Sequence, residues 1–352
     1  MRILLIKFRN IGDVILSSAL IENLRAHYPN SEIDYALNKE CAPVLKYNPE
    51  INKLIFFDRS NIKKKGFYAE FSFAIKTIKY LRKRKYDLVI NLTEGDRGAL
   101  FTFLSNAKLK LGFSPSNKFL SRLNIYDFIG DDKLPIHTVE KDLQFIPLLG
   151  KKIYSKKNKI FWHHDSEITL EKKIINSDKR IVVIHPVSRW MFKCWNDKSM
   201  AKVIDFLQEE KDYKVFVTCS SEKNEIIRVN KIINLCKLKP YNLSGKLNLN
   251  ELSCLIHKAD LFFGIDSAPM HIAAACNTTV VAIFGASYPT KWGPWYDGTR
   301  NFQNINGYQN NGKHHIFSNM NHEIFYEDEV KKSKGMDLIE LEQVKTLLRE
   351  IL

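Results

Sequence analysis

The chain has 352 residues, 45% hydrophobic and 26% charged, enough apolar material for a sizeable core and too much length for one, so two domains are expected. No apolar run approaches the roughly 18 residues of a membrane span, and six scattered cysteines without a Cys-x-x-Cys pair argue against a disulfide framework or a zinc site. The net charge of +15 points to an anionic partner without saying which.

Ile3–Phe8 predicts a buried strand at the very start, where a signal peptide would need an apolar region and a cleavage site. It runs into Arg9-Asn10-Ile11-Gly12-Asp13, with Gly12 available for a tight turn. Val14–His27 reads as a helix, Ile33–Leu37 and Leu54–Phe57 as strands, and Tyr68–Lys85 as a long helix. That helix ends a stretch, Arg59–Lys85, with ten Lys or Arg residues against Glu70 alone, interleaved with Phe67, Tyr68, Phe71, Phe73 and Tyr80. A solvated Lys-rich helix fits this pattern, and so does a basic, aromatic-rimmed surface resting on an anionic membrane. No helix-turn-helix, zinc-finger or RNP-like signature accompanies the charge, so nucleic acid is not the expected partner. Leu88–Leu92 is a short apolar strand ending at Thr93-Glu94-Gly95-Asp96-Arg97-Gly98, and Thr138–Leu148 looks helical up to Pro147. Gly150–His164 loses periodicity and carries a Lys run, so the linker is placed there.

The second half restarts the alternation. Strands are predicted at Ile181–His185, Val215–Thr218, Leu261–Ile265 and Thr279–Phe284. Helices are predicted at Asp197–Glu209, Glu222–Leu235, Asn250–Lys258 and Pro269–Ala275. Asn301–Asn321 is polar and aperiodic and reads as loop. Leu338–Leu352 closes the chain as a helix with Leu341, Val344, Leu348 and Ile351 on one side. Strands separated by helices imply parallel sheets with right-handed crossovers.

In open α/β sheets, ligands sit beyond the carboxyl ends of the strands. The first half offers a carboxylate there, Asp13; the second offers a cation, Lys193, in His185-Pro186-Val187-Ser188-Arg189-Trp190-Met191-Phe192-Lys193-Cys194-Trp195. In Gly264-Ile265-Asp266-Ser267-Ala268-Pro269-Met270-His271 a strand ends and a helix begins, with Ser267 as N-cap and Pro269 in the first turn. Its N–H groups and dipole suit a phosphate, although a plain capped helix has the same pattern. Asp13 likewise reads either as a helix cap or as a general base for an acceptor hydroxyl. Neither a Walker-type loop nor Gly-x-Gly-x-x-Gly is present, so a P-loop NTPase or dinucleotide dehydrogenase lacks its mark. No Asp-x-Asp pair is available to hold a divalent ion. A leaving diphosphate would then be neutralised by Lys193, by the N–H groups around Ser267–Met270 and by Ser188.

Together these residues resemble glycosyltransferase family nine, the bacterial lipopolysaccharide-core heptosyltransferases. The resemblance runs over nearly the whole chain, to about Asp297, and is most specific in Lys7–Asp13, His185–Trp195, Asp266–His271 and Phe284–Trp295. Within the family, Asn91–Gly98, Ser188–Trp195 and Trp292-Gly293-Pro294-Trp295 are similar to the heptosyltransferase III type. The resemblance implies an α/β fold of GT-B type: two Rossmann-like domains facing across a cleft, with a C-terminal helix crossing back to the first. The domains would be an acceptor-binding 1–160, a donor-binding 161–335 and a returning helix 336–352. By position, Asp13 matches the family's base. Ser188, Lys193, Asp266, Ser267, Ala268, Met270 and His271 match donor contacts; Glu225 falls near the ribose position and Leu247 near the adenine. Arg9, Asn10, Glu94 and Arg97 fall on the acceptor side. The resemblance further implies an ADP-heptose donor, a lipopolysaccharide inner-core acceptor, and no metal or other cofactor. It also implies a cytoplasmic protein in peripheral contact with the anionic inner face of the inner membrane. Two departures stand out: Cys219-Ser220-Ser221 replaces a glycine-rich turn, and the Asn-rich segment after Asn301 replaces one where relatives often carry cysteines. A family member moving a different sugar, or a non-catalytic nucleotide-sugar binder, would share most of these features.

Overall fold

The computed structural model describes residues 1–57, 67–174, 178–210, 212–297, 303–305, 308–310, 313–319, 323–327 and 330–352, with side chains for all but 67–74, 303–305, 308–310, 327 and 330. The start of the basic run, Arg59 with Lys63, Lys64 and Lys65, lies outside the described residues. The chain divides into two compact units, Met1–Phe161 and Trp162–Leu352.

The first unit is built on β1 (Arg2–Lys7), β2 (Glu32–Asn38), β3 (Lys53–Phe57), β4 (Leu88–Asn91), β5 (Leu109–Phe113) and β6 (Phe128–Gly130). They form one parallel sheet in the order β3-β2-β1-β4-β5-β6. β1 and β4 are continuous apolar runs because helices cover both faces of such a sheet; Leu4, Ile6, Val89, Leu81 and Tyr86 join one core cluster. From β1 the chain steps to β2 and β3 on one side, then returns to β4 on the other, so the switch point lies between β1 and β4. The helix expected over Val14–His27 is two helices, Ile11–Leu16 and Ser18–His27. Ser17 divides them: its hydroxyl donates to the Val14 carbonyl at 2.7 Å and meets the Tyr35 hydroxyl at 2.6 Å, a side-chain bond that competes with the helix ladder. Gly12 does not make the tight turn expected of it; it is the second residue of the Ile11–Leu16 helix. Strands β5 and β6 and the Asp96–Ser105 helix were not legible in the sequence.

The second unit carries β7 (Arg180–His185), β8 (Tyr213–Val217), β9 (Tyr241–Asn242), β10 (Leu261–Ile265), β11 (Thr279–Phe284), β12 (Gln303–Ile305), β13 (Tyr308–Asn310) and β14 (His314–Ser318). The order is β12-β13-β14-β11-β10-β7-β8-β9. The strands from β14 to β9 run parallel, and β13 and β12 extend that sheet antiparallel. Asn301–Asn321, expected as loop, therefore supplies three strands. β14 is buried throughout, so it lacks the alternation that marks a half-exposed strand. The switch point of this sheet lies between β7 and β10. There Gly264 is obligatory, because a Cβ would stand 2.9 Å from the His185 carbonyl oxygen. A two-stranded hairpin, β15 (Ile324–Glu327) with β16 (Val330–Ser333), follows.

The closing helix is Leu341–Ile351. Its apolar stripe, Val344, Leu347 and Leu348, enters the second unit's own core with Trp195, Phe206 and Met336. The Leu352 carbonyl accepts from Arg180 at 3.1 Å and from the Tyr213 hydroxyl at 3.0 Å. Burial of that stripe against the Asp197–Glu209 helix is favourable enough to fix the tail inside the unit it follows.

Candidate active site

At the switch point of the first sheet two loops leave side by side, one after β1 and one after β4. The Phe8 N–H donates to the Thr93 hydroxyl at 2.8 Å and so stitches them together. Asp13 lies in the first turn of the Ile11–Leu16 helix and is buried. Its carboxylate accepts the Asn10 N–H at 3.1 Å, closing a capping box with Asn10, while Arg9 stands 3.6 Å from its other oxygen. Arg9, Asn10 and Asp13 are therefore one cluster. From the β4 loop, Glu94 pairs with Lys141. Burial raises the Glu94 carboxyl, but Lys141, Arg9 and Lys7 outweigh it and hold the group below its ordinary range. The Arg97 guanidinium stands 5.8 Å from the Phe8 ring centre and 5.0 Å from that of Phe57.

Sequence reasoning missed the pair beneath this cluster. Lys7, the last residue of β1, donates to both oxygens of Asp142, at 2.9 and 2.6 Å, with both side chains buried. Burial raises the Asp142 carboxyl against the pull of Lys7. Asp142 and its neighbour Lys141, on the Thr138–Leu143 helix, thus place two opposite charges under the ends of β1 and β4. A lysine at the end of a strand that otherwise reads as buried was the available signal.

In the second unit, the loop after β7 and the loop after β10 meet at the other switch point. Lys193 Nζ lies 2.5 Å from Asp266 Oδ2, and the Ser287 hydroxyl, from the loop after β11, donates to the same oxygen. Asp266 is followed by Ser267, N-cap of the Ala268–Ala275 helix. Within its first turn the Met270 N–H is taken by the Ser267 carbonyl, and Pro269 has none, which leaves the N–H groups of Ser267 and Ala268 to face an anion. Met270 and His271 are buried. Ser188 folds back on its own loop, its hydroxyl accepting the Trp190 N–H at 3.0 Å.

Two further residues lie along the same edge of the sheet. Glu225 is buried, and its carboxylate accepts the Ser220 N–H at 3.0 Å, closing the turn after β8. Leu247, half-buried, precedes Asn248, the N-cap of the Leu249–His257 helix after β9. Lys193 and Asp266 are in direct contact; Glu225 follows β8 and Leu247 follows β9, the two strands beyond β7.

Arg228, one helical turn beyond Glu225, was not anticipated. It donates to the Met191 carbonyl at 3.2 Å and the Trp195 carbonyl at 3.0 Å and pairs with Asp197 at 2.9 Å. These bonds bracket the Lys193 loop. From the hairpin, Lys331 lies 4.5 Å from the Phe192 ring centre. Trp190 stands half exposed on this loop, while Trp195 is buried and donates to the Ile339 carbonyl. His185, ending β7, bonds Thr218 at 3.0 Å, and burial pushes its imidazole down to about 4. Among the described residues, no three His, Cys, Asp or Glu side chains converge as a metal site would require.

The arrangement provides a cation with helix N–H groups at one switch point and a positioned carboxylate at the other. Residues 74–321 match the sequence model of Glycosyltransferase family 9 (heptosyltransferase). Lipopolysaccharide heptosyltransferase 3 of Escherichia coli strain K12 is 34% identical over 297 residues, spanning 83% of this chain and 84% of the relative. The crystal structure of a family 9 glycosyl transferase from Veillonella parvula superposes with a TM-score of 0.80 at 22% identity, covering 99% of this chain and 96% of the other. The structure of E. coli ADP-heptose lps heptosyltransferase II gives 0.75 at 20% identity, over 100% and 98%. By sequence and by fold, the chain belongs to glycosyltransferase family 9, the heptosyltransferases, and is a glycosyltransferase.

Proposed function

We propose that the chain transfers L-glycero-D-manno-heptose from ADP-heptose onto a heptose of the lipopolysaccharide inner core, with inversion and without a metal. The observation that carries this is the Lys193–Asp266 contact beside the N-terminus of the Ala268–Ala275 helix. A cation and two helix N–H groups at one point suit a departing diphosphate, which they neutralise without reorganising. Asp266, held by Lys193 and Ser287, is then an acceptor for sugar hydroxyls. Glu225 and Leu247 take the ribose and adenine. On the first unit Asp13 is the base that removes the proton from the attacking hydroxyl, and that hydroxyl displaces ADP in line. Arg9, Asn10, Glu94 and Arg97 form the acceptor side, where Arg9 and Lys141 suit an acceptor rich in carboxylate and phosphate.

The name of the 34%-identical relative supports heptose and lipopolysaccharide, and the solved heptosyltransferase II supports ADP-heptose as donor. Metal independence is supported by the missing Asp-x-Asp pair together with Lys193. A peripheral, cytoplasmic position at the inner membrane is supported by the lipid-anchored acceptor and the basic Arg59–Lys85 stretch. Among the described residues no helix is long and apolar enough to cross a membrane.

Purified protein, ADP-L-glycero-β-D-manno-heptose and a heptose-terminated core fragment should release ADP and give an α-linked product by NMR. Core oligosaccharide from a strain lacking the protein should be short of one heptose by mass spectrometry. Loss of a hexose or hexosamine instead, or a β-linked product, would overturn the reading.

A further inference from the structure

A continuous run of the first unit, Arg97–Tyr126, holds five cations, Arg97, Lys108, Lys110, Lys118 and Arg122, and no carboxylate. The same run carries four large apolar side chains that the fold leaves in water: Leu100 at 43%, Phe103 at 46%, Phe119 at 69% and Leu123 at 37% exposure. Leu100 and Phe103 lie three apart on the Asp96–Ser105 helix and so share a side, while Ala99 and Thr102 are buried. Lys118–Arg122 is a single helical turn with no buried residue. It is nevertheless firmly built. Asn117 caps the Phe119 and Leu120 N–H groups, its own N–H donates to Asp96 at 2.8 Å, and Leu120 packs on Ala99, Ile125 and Tyr126. The turn thus holds Phe119 outward between two cations at no gain to the core. The adjoining edge strand β6 adds the exposed Phe128 and Ile129.

We propose that this surface docks on an anionic lipid bilayer, with Phe119 and Leu123 entering the headgroup boundary and Lys118, Arg122 and Lys110 facing lipid phosphates. Apolar groups clustered among cations have this preference, since area and charge then act together. A patch of this kind on a monomer marks a contact surface. The Arg97 guanidinium lies near the Phe8 and Phe57 rings, and Lys108 pairs with Asp87 at 2.7 Å. The nearest carboxylates are occupied locally, Asp96 by the Asn117 N–H and Asp127 by the Lys110 N–H at 2.8 Å. The proposal is independent of the Arg59–Lys85 stretch and rests on the function above only in expecting a membrane-anchored acceptor.

Cosedimentation of the full-length protein with phosphatidylethanolamine–phosphatidylglycerol vesicles at low salt tests it, against pure phosphatidylcholine. Binding to the first and not the second is expected, weakening as salt rises. Phe119→Ser with Leu123→Ser, and separately Lys118→Glu with Arg122→Glu, should each weaken binding about tenfold or more. Melting temperature and transfer to a short soluble acceptor should not change. Wild-type protein that ignores the anionic vesicles, or variants that bind as tightly, would overturn the proposal. So would a wild-type dimer that the Phe119 variant dissolves in sedimentation velocity, because the occupant would then be a second copy. If no protein transfers heptose to the soluble fragment, the proposed function fails, and the vesicle comparison still decides the docking surface.

Discussion

Lys193 and Asp266 meet at 2.5 Å across the switch point of the second sheet, so the cation best placed for a diphosphate already has an anionic partner in the free protein. On the proposed function, donor binding shares Lys193 between Asp266 and phosphate, which separates the roles of the two side chains. Lys193→Ala should weaken ADP roughly 10- to 100-fold, the equivalent of a charge-assisted contact. Asp266→Asn should leave ADP affinity unchanged or tighter while raising KM for the nucleotide sugar. Calorimetry with ADP checks the pair; an unchanged affinity for Lys193→Ala would remove that residue from the donor site.

Asp13 is both cap and proposed base, and two substitutions divide these functions. Asp13→Ala should lower turnover by about 10²–10⁴-fold and stability by about 1 kcal/mol through loss of the capping box. Asp13→Asn retains an acceptor for the Asn10 N–H and should lose turnover with little change in Tm. If Asp13→Asn kept most of its turnover when chemistry limits the rate, the residue would be a cap alone.

Activity should persist in excess EDTA. The measurement is initial rate after exhaustive chelation, and full loss that magnesium or manganese restores would rule out charge neutralisation by Lys193 and the helix terminus alone.

Arg228→Met removes the bonds that fix the loop around Lys193. ADP affinity should fall about tenfold, with kcat at saturating donor nearly unchanged. Faster proteolysis within Met191–Trp195 should accompany it. A drop in Tm with ADP affinity intact would mean that Arg228 serves stability only.

Stability should decline with acid through two buried histidines. Burial lowers His185 from its ordinary 6.5 to about 4 and His314 to about 3. Both are neutral in the fold and protonate first in the unfolded chain. Their contribution is complete above about 6.5 and is lost as pH falls toward 4 and 3, at about 1.4 kcal/mol per pH unit for each. Urea unfolding between pH 7 and pH 4 measures the slope, and His185→Gln should make it shallower.

Much of the fold was legible because the core strands of each sheet are long apolar runs between strong helix signals. β10 and β11 begin and end where the pattern places them, as does the Asp197–Glu209 helix. What escaped had a local reason. Leu109–Phe113 contains Lys110 and Gly112 and is a strand because β4 and β6 pair with it on either side. Tyr308–Asn310 and His314–Ser318 pair with each other in a short, largely polar segment, and His314–Ser318 is joined to the sheet by β11, which is distant in sequence. The closing helix shows its apolar stripe but not which core receives it. At the candidate site, residue types that carry chemistry were visible one by one. Their partners, Asp142 for Lys7, Lys141 for Glu94 and Ser287 for Asp266, depend on tertiary contact and left no periodic trace.

The half-exposed Trp190 sits three residues from Lys193 on a loop whose two ends are tied by Arg228. The protein therefore carries its own optical reporter at the place where ADP is expected. A phosphate that draws Lys193 from Asp266 shifts the indole's surroundings, whereas the buried Trp195 two residues further on stays fixed by the Ile339 carbonyl. Tryptophan emission, with Trp190→Phe as the blank, would follow nucleotide titrations and stopped-flow binding without a label and without waiting for turnover.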